Sequence, residues 1–148
     1  MTRTVLVDSG RSRYGQDISI GPHALRSDEP GDVGGDDAGP NPYELLMAAL
    51  GACTSMTVRM YAARKQWPLQ GVHVEVSYAR VHADDCAECE TDAEWADGID
   101  VAVSLVGSLS EEQRSKLIEI ANRCPIHRTL TSPLPIRARE GVAGRPPS

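Results

Sequence analysis

A run of apolar and small residues at 45–56 constrains the fold of this chain more than any other feature. Asn41 can cap a helix that contains this run, and Glu44 completes a capping box with it. We expect the helix to continue to about Gln66, because Pro68 disfavours helical backbone in the residue before it. A helix without a polar face belongs in the middle of a core. The sequence therefore predicts a buried central helix, whose second half becomes amphipathic and reaches solvent.

Segments with strand patterns occur both before and after this helix in the sequence. Residues 4–7 and 17–20 predict a short hairpin, and residues 23–26 allow a third strand. Residues 99–106 are predicted to pair with residues 72–81, with their odd-numbered side chains facing inward. The 72–81 segment alternates cleanly and places these side chains on one face: Val72, Val74, Val76 and Tyr78.

Two connections separate these patterns. Residues 30–40 are rich in Gly and Asp without periodicity, which predicts a mobile surface loop, and a flap over a functional site is the alternative. Residues 82–98 form a long acidic connection that contains Cys86 and Cys89. Connections of this length are usually functional or disordered.

The C-terminal part of the chain predicts two further helices and an edge strand. Ser110 and Gln113 match a second capping box, and Pro125 opens a short new helix. Prolines restrict residues 133–138 to an edge strand, and residues 141–148 are predicted to be a disordered tail. Residues 1–140 are predicted to form a single domain. The helix that follows the second capping box carries an apolar stripe: Leu117, Ile118, Ala121 and Cys124.

Composition argues against several classes of function. The net charge of −6 is unfavourable for a nucleic-acid partner, because phosphate binding needs clustered Lys and Arg. No apolar run approaches the ~20 residues that a membrane span needs, so we expect no membrane partner. A cytoplasmic location is the default expectation, and cysteines in that compartment are more often catalytic or metal-binding than structural.

Two cysteines stand in settings that can activate a thiol, although about half the chain separates them. For Cys53, in the apolar helix, the simplest interpretation is a small buried side chain. Cys124 lies at the start of a short helix, where backbone N–H groups and the helix dipole favour a thiolate, and Arg123 and Arg128 add positive charge. Its alternative role is to seal the core. Cys53 needs an arginine nearby to ionise, because an apolar setting disfavours charge.

A CxxC pattern, Cys86 with Cys89, is extended by His82 to a spacing typical of metal ligands. A structural zinc site needs four ligands, however, and the sequence has no second CxxC. The acidic residues around the pair disfavour thiolates and oppose redox activity. A solvent-exposed loop is therefore the favoured interpretation, and a zinc-stabilised interaction domain is the alternative.

Three segments carry a family resemblance: GPNPYELL at 39–46, AALGACT at 48–54 and CPIHRTL at 124–130. The first two resemble the central helix of the OsmC/Ohr family, in its OsmC-like subgroup, and the third resembles its second cysteine motif. The similarity extends from about Leu25 to Arg137. It implies an α+β fold in which antiparallel sheets wrap around the cysteine-bearing central helix, as an intertwined homodimer.

The resemblance also implies a thiol-dependent peroxidase. Cys53 would attack a hydroperoxide and become a sulfenic acid, and Cys124 would condense with it to a disulfide. An arginine from the N-terminal hairpin, with Arg11, Arg13 and Arg26 as candidates and Arg13 or Arg26 favoured, would orient the Cys53 thiolate. A dithiol such as a dihydrolipoyl group would reduce the disulfide, and the resemblance implies neither a cofactor nor a metal.

One position departs from the family pattern. The family places a glutamate directly after the helix-opening proline, where this chain has Tyr43, and the acid follows one residue later as Glu44. One step rotates a helical side chain by ~100°, so Glu44 is either a catalytic acid or only a cap. This difference favours the alternative function, a small-ligand-binding protein without strong peroxidase activity. In that protein Cys53 would only line a ligand pocket at the dimer interface.

Overall fold

The computed structural model describes residues 4–82 and 95–141, which divide into two compact units, residues 4–45 with 135–141 and residues 46–82 with 95–134. The predicted α+β class with antiparallel sheets is confirmed. The prediction of a single domain over residues 1–140 stays a prediction. The elements are β1 (Val5–Ser9), β2 (Gln16–Ile20), β3 (His23–Ser27), a 3-10 turn (Gly31–Val33), α1 (Pro42–Arg64), β4 (Leu69–His82), β5 (Trp95–Gly107), α2 (Glu111–Ala121) and α3 (Pro125–Leu130).

The first unit contains an antiparallel sheet in the order β1-β2-β3. Val5 pairs with Ile20 in the first hairpin, and Ile20 pairs with His23 in the next. Gly21 supplies the left-handed backbone of the tight turn between β2 and β3, with φ of 58°. The predicted hairpin and its third strand are therefore confirmed, with slightly different bounds.

A buried carboxylate organises the connection between β3 and α1. Asp28 is 2% exposed and accepts hydrogen bonds from the backbone N–H groups of Glu29, Asp36 and Ala38, at 2.9, 3.2 and 3.3 Å. These bonds fold the segment back on itself around the 3-10 turn. The predicted surface position of most of this connection is confirmed. Its hydrogen-bonded turn goes beyond what composition predicts, because one Asp side chain can satisfy several backbone donors.

Hydrogen bonds fix both ends of α1 close to where the sequence predicts them. Asn41 Oδ1 accepts from the Glu44 N–H at 2.9 Å, and the Glu44 carboxylate accepts from the Asn41 N–H at 2.7 Å, which completes the capping box. At the other end Gln66 has a left-handed φ of 56°, and Trp67 donates its N–H to the Ala62 carbonyl oxygen at 2.9 Å. This Schellman-type ending turns the chain toward β4.

The central helix α1 buries one stripe rather than its whole circumference. The buried positions recur once per helical turn: Leu50, Thr54, Val58 and Ala62. A second stripe lies about 200° away around the helix and is exposed: Ala48, Ala52, Met56 and Met60. Among the described residues of this chain, the predicted burial of α1 therefore holds for one stripe, and its opposite apolar face is exposed.

By length and composition alone, α1 could cross a membrane, with a mean hydropathy of 1.3. This corrects the expectation that no apolar run in the chain approaches a membrane span. The core helix of a soluble protein passes the same test, and such a helix is mostly buried. In α1, by contrast, 22% of the window that passes the test is buried.

The core of the second unit forms where α1 and α2 pack against the β4–β5 hairpin. Gly51 lets α1 approach β4 closely, since a Cβ at this position would lie 3.1 Å from Val76 Cγ2. Arg114 of α2 donates to the carbonyl oxygens of Leu105 and Gly107, both at 3.0 Å, and ties α2 to the end of β5. The buried centre consists of Val58, Ala62, Leu117 and Ala121.

The long hairpin confirms the predicted alternation. On β4, the side chains predicted to face inward are partly buried, and those of residues 73, 75, 77 and 79 are exposed. β5 pairs with β4 in antiparallel fashion, although Ile99, predicted to face inward, is 37% exposed. Both strands extend further than predicted. The connection at 83–94, with Cys86 and Cys89, lies outside the described residues.

The C-terminal predictions have mixed outcomes. The Ser110–Gln113 capping box is confirmed, and Pro125 opens α3 as predicted. Ile118 is 39% exposed and lies off the buried stripe, because it is rotated by ~100° from Leu117. The predicted edge strand at 133–138 is wrong: this segment is exposed and irregular, and its prolines lack N–H donors for a ladder. Of the predicted tail, residues 142–148 lie outside the described residues.

Candidate active site

The two cysteines Cys53 and Cys124 both lie in the second unit and carry free thiols. Cys53 is near the middle of α1 and partly buried, whereas Cys124 is 0% exposed. Cys124 is the N-cap residue of α3, with φ −62° and ψ 147°. Pro125 sets this geometry, because a residue before proline avoids helical backbone. The chain turn that opens α3 thus holds the Cys124 sulfur inside the protein.

A hydrogen bond joins the central helix to Cys124. Thr54 Oγ1 lies 3.5 Å from Cys124 Sγ and 2.9 Å from the carbonyl oxygen of Leu50. Because Thr54 directly follows Cys53 in α1, the fold brings the two cysteine-bearing segments together. The sequence offers a single signal for Thr54, its position beside Cys53, and that signal fits an ordinary core residue equally well.

A backbone donor also points to the Cys124 sulfur. The His127 N–H donates to Cys124 Sγ at 3.3 Å, so a sulfur caps α3 in place of an oxygen. The sulfur therefore has two hydrogen-bond partners, this N–H and the Thr54 hydroxyl. Hydrogen bonds to a charged group favour its charged form. Both donors therefore point to a sulfur that solvent does not reach.

Part of the positive charge near Cys124 is engaged elsewhere. Arg123 and Lys116 both form ion pairs with Glu119 on α2. The Lys116 hydrogen bond, together with the charges of Arg123 and Lys116, holds the pKa of Glu119 below its usual value. Arg123 therefore interacts with the last turn of α2, which limits the charge it can offer to the thiol.

The other predicted site residues, Arg13, Arg26 and Glu44, belong to the first unit. The Arg13 guanidinium lies over the ring of Tyr14, 5.0 Å from its centroid. Arg26 lies 3.9 Å from Asp17, its neighbour across β2 and β3. The Glu44 carboxylate is a capping group of α1. The roles assigned to these residues and to the two cysteines stay predictions.

Two cavities adjoin the Cys124 region within the second unit. The smaller has a volume of about 70 Å³, reaches Thr54 and is otherwise lined by residues of β5, α2 and α3 and by Asn122, which follows α2. The larger has a volume of about 240 Å³, lies beside Leu50 and is mainly apolar, with Asp97 among its lining residues. His127 lines both cavities and is partly buried. Space for a small molecule therefore exists beside Thr54 and His127, which both contact the Cys124 sulfur.

The zinc hypothesis rests on Cys86 and Cys89, which lie outside the described residues. Within the described part of the chain, no group of three or more His, Cys, Asp or Glu side chains could hold a metal ion. The zinc-stabilised interaction domain therefore stays a hypothesis.

Comparison with known proteins identifies the family pattern and the fold. Residues 34–139 match the family model described as OsmC-like protein. Similar solved structures include the organic hydroperoxide resistance protein OsmC from Legionella pneumophila, with a TM-score of 0.65, 18% identity and coverage of 88% of this chain and 90% of that chain. The OsmC-like protein from Mycoplasma pneumoniae is similar with a TM-score of 0.64 and 20% identity. The match covers 87% of this chain and 85% of that chain.

The organic hydroperoxide resistance protein OhrB of Bacillus subtilis is also similar, with a TM-score of 0.61, 18% identity and coverage of 88% of this chain and 91% of that chain. At these identities the structural likenesses show the shared fold alone. A comparison with curated protein sequences gave no match.

The burial difference between the two thiols predicts an order of alkylation in the reduced native protein. We expect iodoacetamide to modify Cys53 more than roughly tenfold faster than Cys124, because a buried sulfur reacts only when the structure opens. Peptide-resolved mass spectrometry over time measures both rates. In the control, the unfolded protein should lose this difference. Equal rates at the two cysteines of the native protein would contradict the burial described above.

Proposed function

The chain belongs to the OsmC-like protein family, and on that premise we propose that it is a thiol-dependent peroxidase that reduces organic hydroperoxides or hydrogen peroxide. One observation carries the proposal: the contact between Thr54 and Cys124 brings the second thiol to the helix that bears Cys53. Proteins named for organic hydroperoxide resistance share the fold, which lends further support.

The proposed reaction runs through both thiols. The Cys53 thiolate attacks the terminal oxygen of the hydroperoxide, the O–O bond breaks, and the departing alkoxide takes up a proton and leaves as an alcohol. Cys124 then attacks the sulfur of the Cys53 sulfenic acid. A disulfide forms, and hydroxide leaves with the Cys124 proton as water. A dithiol reduces the disulfide and is itself oxidised to a disulfide.

The exposure of the thiols supports this division of roles. Cys53 is partly buried, so a small substrate can meet it, whereas Cys124 is 0% exposed. A sulfur held inside the protein is suited to a reaction partner on the same chain, and Cys53 directly precedes Thr54, which contacts Cys124. Cys53 is therefore the proposed nucleophile, and Cys124 the proposed resolving thiol.

Other groups are proposed to assist Cys53. A thiolate on an apolar helix needs a cation nearby, and Arg13 or Arg26 is proposed to supply it. Glu44 is proposed to act at the start of α1, where its carboxylate already completes the capping box. The proposed reductant is a dithiol of the lipoyl type in the cytoplasm, and the reaction as written needs no bound cofactor.

A homodimer is proposed because α1 leaves an apolar stripe uncovered. Met56 and Met60 are 63% and 65% exposed, and the small residues Ala48 and Ala52 continue the same stripe. Exposed apolar surface of this kind marks an interaction site. A second copy of the same helix offers small residues for close packing under two-fold symmetry. The dimer would complete the burial that the sequence predicts for this helix.

The alternative function, small-ligand binding, draws on the cavity of about 240 Å³ beside Leu50 and His127. Ligand pockets usually have volumes of about 300–1,000 Å³, so this cavity suits only a small molecule. The pairing of two cysteine-bearing segments has no role in that function. Peroxidase activity is therefore the stronger proposal.

Replacing the thiols one at a time tests the peroxidase. Consumption of cumene hydroperoxide in the presence of excess dithiol is expected to fall by roughly 100-fold or more in Cys53→Ser, because the nucleophile is lost. In a separate reaction without dithiol, Cys124→Ser should still consume about one equivalent of hydroperoxide and stop as the Cys53 sulfenic acid. Peroxide assays and thiol titration measure both effects.

A matched control keeps the two proposed catalytic thiols and changes the other two. The Cys86→Ser/Cys89→Ser variant is expected to keep the reference rate. Reference protein that leaves the hydroperoxide unchanged and keeps its thiols would sink the peroxidase proposal, and saturable binding of a small molecule without turnover would support the alternative function.

The uncovered stripe of α1 predicts a charge-sensitive dimer. Met56→Glu/Met60→Glu is expected to convert the dimer to monomer, because two buried unpaired carboxylates per chain oppose association. Analytical ultracentrifugation measures the change, and Ser115→Glu, an exposed position of α2, is the control that should stay dimeric. A reference protein that sediments as a monomer at all concentrations would rule out the homodimer.

A further inference from the structure

The Thr54 hydroxyl has two acceptors within reach and a single proton. Its Oγ1 lies 2.9 Å from the carbonyl oxygen of Leu50 and 3.5 Å from Cys124 Sγ. A hydroxyl donates one hydrogen bond and accepts up to two. Thr54 can therefore donate to Leu50 or to Cys124, but not to both at once.

We propose that Thr54 is a positioning residue for Cys124. When the sulfur becomes charged, the Thr54 hydroxyl turns its own proton from the Leu50 carbonyl oxygen to the sulfur. With a neutral thiol, the Cys124 S–H donates to Thr54 Oγ1, and Thr54 donates to Leu50. With a thiolate, Thr54 turns its proton to the sulfur. This inference rests on the proposed function, in which Cys124 must act as a nucleophile toward Cys53.

Burial makes such a donor necessary. Cys124 is 0% exposed, so water does not solvate its thiolate, and an uncompensated buried charge is costly. The His127 N–H provides one donor at 3.3 Å, and Thr54 provides the second. The carbonyl oxygen of Leu50 keeps its helical partner, the N–H of Thr54, when the hydroxyl turns away. The switch therefore leaves no backbone acceptor without a partner.

The Thr54 hydroxyl and the His127 N–H can stabilise the Cys124 thiolate both when the disulfide forms and when it is reduced. During disulfide formation the Cys124 thiolate attacks the Cys53 sulfenic acid, and the departing hydroxide takes up the proton that Cys124 released, giving water. During reduction a thiolate of the dithiol attacks the partly exposed Cys53 sulfur, the S–S bond breaks, and Cys124 leaves as a thiolate toward Thr54 and His127. The second thiol of the dithiol then closes a disulfide and releases Cys53. Stabilising the leaving thiolate accelerates this step.

The elements next to Cys124 carry other titratable groups, which must be kept constant in a test. β5 lines the adjoining cavity with Val101 and Val103, which do not titrate. The titratable or charged groups on the neighbouring elements are Cys53 on α1, His127 and Arg128 on α3, and the ion pair between Glu119 of α2 and Arg123. An effect of the Thr54 hydroxyl is therefore measured by changing that group alone.

The first experiment follows the Cys124 titration without any peroxide chemistry. In a Cys53→Ser background, the ¹³Cβ shift of labelled Cys124, assigned by its loss in Cys124→Ser, reports the thiolate fraction as a function of pH. Thr54→Val is expected to lower the thiolate fraction roughly tenfold at each pH below the midpoint, because one donor to the charged form is lost. Thr54→Ser keeps the hydroxyl and should stay close to the reference. Thr57→Val is the matched control on the same helix.

The second experiment separates the two chemical steps by rapid quenching after one equivalent of hydroperoxide. Thr54→Val is expected to form the Cys53 sulfenic acid at the reference rate and to form the disulfide roughly tenfold more slowly at neutral pH, with the deficit shrinking as pH rises. If Thr54→Val does not fold, Thr54→Ala takes its place, with circular dichroism as the check.

The outcomes distinguish this inference from the proposed function. A reference protein that forms no sulfenic acid would defeat the peroxidase, while the titration would still decide the role of Thr54. A Cys124 titration unchanged in Thr54→Val would overturn the inference. So would a Thr54→Ser protein that loses as much thiolate as Thr54→Val, because the hydroxyl would then have no part in the effect.

Discussion

The hydrogen bond between Thr54 and Cys124 is the interaction on which the proposed chemistry depends, because it joins the central helix to the N-cap of α3. The core holds this contact in place. Thr54 belongs to the same buried stripe as Val58 and Ala62, which pack against Leu117 of α2. α2 ends at Ala121, three residues before Cys124. The hydrophobic core therefore positions the proposed chemistry as well as stabilising the fold.

The two faces of α1 give this helix two tasks. One face buries Thr54 and its neighbours in the core of the second unit, and the opposite face leaves Met56 and Met60 in solvent. Cys53 lies next to the buried stripe and is only partly covered. In the proposed reaction, this position lets Cys53 meet the substrate from outside and Cys124 from inside.

Local signals in the sequence predicted the elements well. Each capping box depends on residues three positions apart, and the alternation of β4 depends on a period of two. Both features can therefore be predicted from residues that are close together in the sequence. Thr54 and Asp28 gave no such signal, because their partners come from distant segments or from backbone groups. The one-sided burial of α1 was missed for a related reason: composition sets how apolar a helix is, whereas tertiary contacts decide which face they cover.

The most direct test of the account is to map disulfides after one equivalent of an organic hydroperoxide has been added to the reduced protein. The account predicts a Cys53–Cys124 crosslink in the proteolytic peptides, since the fold brings residue 54 within hydrogen-bond distance of the second sulfur. An oxidised protein in which Cys53 is modified while Cys124 stays a free thiol, or in which Cys53 pairs with Cys86 or Cys89 instead, would contradict it.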